Sequence, residues 1–176
     1  ITPPKAETSQ ARMAEIAERT LARLVALDID ALIVYDVQDE SARTSEERPF
    51  PFLNAHDPFV FAKDYLQALK LPKIIYRPAG KFTPAELTGW LEKLNAEQFY
   101  PVFVGIPAPD FVVKTSLTEA YQLWSKHQDT SVIGAVTIPE RHEVLKDEDQ
   151  RILDKVDCGV SFFVSQCVFN VDYAKN

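Results

Sequence analysis

Five short runs of β-branched and aromatic residues constrain the fold of this 176-residue chain more than any other feature. They fall at 31–34 (ALIV), 73–76 (KIIY), 100–104 (YPVFV), 132–136 (VIGAV) and 160–164 (VSFFV). Each is too short for a stable helix and apolar on both faces, as strands buried in a parallel sheet are. The stretches between them carry helical spacing instead. Over 11–27 the apolar positions Met13, Ile16, Ala17, Leu21, Leu24 and Val25 share one face, with Thr8 or Ser9 as cap. Asp57 and Pro58 open a helix to 69. Thr83-Pro84-Ala85-Glu86 combines a capping box with a proline at the first helical position, and Ser116 with Glu119 forms a second box. These helices are expected to run to 94 and 127. Ile152, Leu153 and Val156 make another apolar stripe, and Gly159 releases the chain at its end. Asn170 or Asp172 begins a further helix. Strands and helices alternating at about 30-residue spacing are successive βα units. The expected architecture is α/β with a parallel sheet, either a (β/α)8 barrel or a doubly wound sheet.

Composition narrows the function classes. A formal charge of −7 gives no general attraction to nucleic acid or anionic membrane. No apolar run approaches the ~20 residues that span a bilayer. The opening ITPPKAETSQ lacks the basic and apolar regions of a secretory signal, so a cytoplasmic protein is expected. Cys158 and Cys167 have no metal-ligand or CxxC spacing, and no metal site is expected. No composition shift divides the chain, so residues 1–176 read as one domain. Met13 is the only methionine, and the chain opens on what reads as the end of a strand. The sequence is therefore expected to be part of a longer protein.

In a barrel, the polar residues that trail the strands converge on one mouth, where ligands bind. Here these are Tyr35 and Asp36, Tyr76 and Arg77, Gly105 with its prolines, 139–142 (PERH), and Ser165 with Gln166. Each has a plainer reading: rim tyrosines, an Asp36–Arg77 ion pair, a turn glycine, a solvated His142. Gln166 directly follows an apolar strand and reads as buried, so its amide needs a partner such as a ligand heteroatom. Arg151 and Lys155 lie i, i+4 on one helix face with Glu148 a turn earlier. That face is either a salt-bridged surface or, with His142, a cradle for a diphosphate. The polar loop 37–54 is long enough to be a lid or binding loop.

The run IPERH, followed by LDKVDCGVSFFVSQCVFN, resembles the methylenetetrahydrofolate reductase family in its YPExH turn, KxDAG helix end and ITQxFFD strand. TPPK, ALIVYD and TPAEL resemble the family's opening, second strand and third helix start more loosely. The resemblance implies a (β/α)8 TIM-type barrel with about six of the eight βα units present, the last two lying outside this chain. It implies FAD at the mouth, with a folate substrate and NAD(P)H taking turns over the flavin, and hydride passing from nicotinamide to flavin to 5,10-methylenetetrahydrofolate. By position, His142, Glu148, Arg151 and Lys155 would hold the FAD diphosphate arm. Tyr35, Tyr76, Gly105 and Ala135 would line the flavin, and Gln166 would bind the pterin or nicotinamide. A homo-oligomer is expected as well.

The departures are specific. The family's proton-donating glutamate would fall just before Ile1, so no catalytic acid is assigned. Ile106 stands where the family has an aspartate near the flavin, Tyr76 replaces a histidine, Tyr35 a threonine and Cys167 an aromatic residue. They motivate an alternative expectation, a barrel of the same descent that binds folate or a corrinoid-system partner without reducing anything. A third, an unrelated aldolase or lyase, would use Lys73 or Lys155 as Schiff-base former.

Overall fold

The computed structural model describes residues 1–39, 50, 52–94, 98–106, 111–127 and 132–175. Most of the 37–54 loop (40–49 and 51) and the prolines after Ile106 lie outside the described residues. The elements follow the alternation read from the sequence. Strands are β1 (Leu32–Val34), β2 (Lys73–Pro78), β3 (Phe99–Val104), β4 (Gly134–Thr137) and β5 (Phe162–Ser165). Helices are α1 (Gln10–Leu24), α2 (Pro58–Tyr65), α3 (Pro84–Leu91), α4 (Leu117–Lys126), α5 (Pro139–Leu145), α6 (Glu148–Asp157) and α7 (Val171–Ala174), with a 3-10 turn at Ala79–Lys81.

All strands are parallel and each pairs with its neighbour in sequence, giving the order β1-β2-β3-β4-β5. Here the barrel expectation is corrected. Among the described residues the sheet has five strands, and β1 and β5 are its two edges rather than partners. A closed eight-strand cylinder needs every strand hydrogen-bonded on both sides. This is a smaller α/β fold on an open sheet. The strand end expected at the start of the chain is a single residue beside β1. The Ile1 amine donates to the Ile33 carbonyl at 2.9 Å, and the Tyr35 N–H donates back to Ile1 at 2.9 Å.

Local chemistry explains the helix starts. The Thr83/Glu86 and Ser116/Glu119 capping boxes both form, each satisfying two orphan N–H groups of the first turn. The Asp57 carboxylate caps α2 through the N–H groups of Phe59 and Val60. Helices α1 to α4 pack one face of the sheet. There Phe61, Leu66, Ile75, Leu87 and Leu91 are fully buried, and the rings of Phe59, Trp90, Phe99, Phe103 and Tyr121 meet one another in series. Lys73 is buried at the N-terminal end of β2, where its ammonium donates to the carbonyls of Leu69 (2.6 Å) and Leu71 (3.2 Å). No helix among the described residues is long and apolar enough to cross a membrane.

Candidate functional site

The side chains at the C-terminal ends of the strands divide by the alternation of the sheet. Leu32, Val34 and Ile75 belong to the helix-side core, so Tyr35 and Tyr76 project from the opposite face. Their rings meet edge to face with centroids 4.6 Å apart. Tyr76 is buried, whereas Tyr35 is 39% exposed and presents its ring to solvent. Burial and then the neighbouring Tyr35 push the Tyr76 phenol above its usual range. Elsewhere on this face Val102 is fully buried, and Tyr100, Val104, Phe162 and Val164 are half-covered.

Arg77 alternates back into the helix layer. Its guanidinium lies over the rings of Phe82 (3.9 Å) and Trp90 (4.7 Å) and pairs with Asp57. The Asp36–Arg77 pair read from the sequence is therefore replaced. Asp36 accepts from the Gln38 amide at 2.6 Å and faces the Lys81 ammonium at 3.6 Å. Burial raises the pKa of Asp36, and Lys81 pulls partly against that.

At the end of β4 the residues expected to cradle a diphosphate come together, but around backbone. Glu148 is 3% exposed, and its Oε1 accepts from the Ile138 N–H (2.8 Å) and the Thr137 hydroxyl (3.1 Å). Its Oε2 faces Arg141 at 3.3 Å without a well-directed hydrogen bond. The Lys155 ammonium donates to the Val136 carbonyl at 2.7 Å, and burial lowers its pKa against the attraction of Glu148. Arg151 pairs with Asp147 at 2.9 Å, and His142 Nδ1 lies 3.7 Å from Asp149. His142 sits on helix α5 rather than in a turn, because Pro139 opens that helix at its first position. A FAD diphosphate needs free donors in this cradle. Glu148 is an anion already coordinated and the Lys155 ammonium serves the Val136 carbonyl, whereas Arg151 gives its Nε–H to Asp147 and keeps its terminal guanidinium N–H groups toward solvent. Of the two lysines considered as Schiff-base formers, Lys73 is buried at the opposite, N-terminal end of β2, and Lys155 is half-buried with its ammonium on the Val136 carbonyl.

The other expected positions scatter. Ala135 is fully buried in the helix-side core and so points away from the tyrosine face. Gly105 is exposed, and among the described residues a Cβ there would meet Leu117 alone, at an ordinary 3.8 Å. Gly134 and Gly80 are the demanding ones: a Cβ would run into the Phe162 ring at Gly134, and would come within 2.8 Å of Ile106, whose side chain packs down on the turn after β2, at Gly80. Gln166 is exposed, not buried: its N–H prolongs the β4–β5 pairing to Thr137 at 3.0 Å, and its amide stands on the same face as Phe162 and Val164. The sequence reading did not single out Gln38, Lys81 or Gly80. The Asp57 cap was legible, but its second role as partner of Arg77 was not. Among the described residues no group of three potential ligands could hold a metal ion.

No protein-family model and no curated protein matches the chain. Among solved structures the chain is similar to one described as an uncharacterized protein from Clostridium thermocellum that binds two copies of 5-methyl-5,6,7,8-tetrahydrofolic acid. The two share 36% identity with a TM-score of 0.81 over 99% of this chain. The chain spans 55% of the length of that protein.

Proposed function

We propose that this chain binds a reduced folate of the 5-methyltetrahydrofolate type without reducing it, and that the pterin ring lies against Tyr35 at the ends of β1 and β2. The observation that carries this reading is the 36% identity, over nearly the whole chain, to a protein that binds 5-methyltetrahydrofolate. The local chemistry agrees with it. A half-exposed phenol ring braced edge-on by a buried one is a rigid stacking surface, and stacking a heteroaromatic ring on such a side chain is worth about 1–3 kcal/mol.

Flavin and NAD(P)H stay outside this reading. Of the residues around β4 that resemble the reductase family's, Glu148 and Lys155 are committed to the strand end itself, and His142 and Arg151 face Asp149 and Asp147. Ile106 also leaves no carboxylate at the position where the family resemblance would put one beside the flavin.

Titration of the purified chain with 5-methyltetrahydrofolate, followed by calorimetry, tests the proposal. Saturable binding is expected, with Tyr35→Ala weakening it roughly tenfold to a hundredfold. A wild-type chain that shows no heat of binding at millimolar ligand would sink it. Added FAD that stays bound through gel filtration and supports NAD(P)H oxidation would favour the reductase reading instead.

A further inference from the structure

We infer that Asp36, with Lys81 beside it, reads the hydrogen-bonding edge of the pterin ring; this rests on the folate reading above. The pyrimidinone edge of a pterin presents two adjacent donors, N3–H and the 2-amino group, followed by the O4 acceptor. A carboxylate accepts from both donors at once, and an ammonium on its flank donates to O4. Asp36 and Lys81 supply that order of groups.

Among the described residues, elimination leads to the same carboxylate. Asp57 is committed to the α2 amides and to Arg77. Glu148 is committed to Thr137 and Ile138, and Glu140 to the N–H groups of Phe169 and Asn170. Asp39 is exposed, away from the cover of the strand ends. Asp36 directly follows Tyr35 at the end of β1, with Lys81, Arg77 and Asp57 as its charged neighbours. Its side chain is only 16% exposed. Its contacts with Gln38 and Lys81 both fall on Oδ1, which leaves Oδ2 free to accept one donor and Oδ1 a second lone pair for the other. Its Lys81 contact, at 3.6 Å, is too long for a hydrogen bond, so that ammonium still has protons to offer O4.

The test compares 5-methyltetrahydrofolate with its analogue lacking the 2-amino group, on wild type, Asp36→Asn and Lys81→Met. Wild type is expected to bind the analogue roughly tenfold to a hundredfold more weakly, the cost of one lost charge-assisted bond. In Asp36→Asn affinity for the natural ligand falls by a similar factor and the preference between the two ligands collapses. Lys81→Met weakens the natural ligand but keeps the preference. An Asp36→Asn chain that loses both ligands in equal proportion, or keeps the wild-type preference, overturns the assignment while leaving folate binding intact. If Asp36→Asn fails to fold, an equal affinity of the wild type for both ligands overturns it, and a wild-type preference that survives Lys81→Met supports it. A wild type that binds neither ligand overturns the folate reading and this assignment with it.

Discussion

The first three strands and the last two are held together by different forces. Around β1–β3, helices α2 to α4 bury large apolar side chains completely, with Phe61, Ile75, Leu87 and Leu91 at most 2% exposed. Around β4–β5, helix α5 buries none of its residues and α6 only Glu148. Leu153 and Val156 on α6 are about half exposed, and Phe169 is 89% exposed. Ile133, Ala135 and Val160 extend the core there, and polar brackets reinforce it: Glu148 on Thr137 and Ile138, Lys155 on Val136, Glu140 on the amides of Phe169 and Asn170. The difference shows where a preformed binding surface can sit. Tyr35, Asp36, Tyr76 and Lys81 all hang from the apolar half, where rotamers are locked by packing, which favours precise ligand contacts. The motif residues that resemble a cofactor cradle hang from the bracketed half and are used to hold it.

The contrast breaks most visibly by truncating each half. Trp90→Ala removes a large side chain buried between Phe59, Phe103 and Arg77, and should cost about 3–5 kcal/mol in urea-induced unfolding. Leu153→Ala on α6 should change stability by no more than about 0.5 kcal/mol. Equal losses would mean that the two halves are packed alike. Next in size is Glu148→Gln. The amide keeps one acceptor for the Ile138 N–H but loses the charge that faces Arg141, and should cost about 1–3 kcal/mol. Hydrogen exchange should then quicken in β4 and α6 while β2 and β3 stay protected.

How far the sequence foretold this contrast depends on the range of the interactions involved. The helix starts at Thr83 and Ser116 and the turn at Gly159 were legible because a cap or a positive φ is settled within four residues. The five strands were legible because their apolar runs are short and β-branched. Barrel closure was not, because strand spacing is local while closure depends on which strands meet at the edges. The face of Ala135 could not be read either, since GAVT is apolar on both sides and a one-residue shift reverses it. Arg77 was matched to Asp36 across adjacent strands, but its partner Asp57 comes from the start of α2. Gln166 read as buried because an apolar strand precedes it; β5 is an edge, and edges leave such residues wet.

The smallest expected effect concerns acid. The carboxylates of Glu86, Glu119 and Glu140 have lowered pKa values, because in each case backbone N–H groups hold the charged form. A depressed folded pKa gives stability that is present above the ordinary value of 4.5 and lost as pH falls through the folded value. Asp36 works the other way. Its raised pKa favours the folded chain in acid, and that gain disappears as pH rises through the raised value. The melting temperature should therefore fall below pH 4.5, and Glu86→Gln should flatten the fall slightly while Asp36→Asn steepens it. A melting temperature that climbs steadily from pH 5 to pH 3 would show that Asp36 outweighs the three caps.

The most direct measurement is hydrogen exchange with and without saturating 5-methyltetrahydrofolate, resolved by peptide. Added protection is predicted at residues 33–38 and 75–82, where the tyrosine pair, Asp36 and Lys81 lie, with α5 and α6 unchanged. Protection confined to residues 139–157, or none anywhere, would contradict a folate site on the β1–β2 side of the sheet.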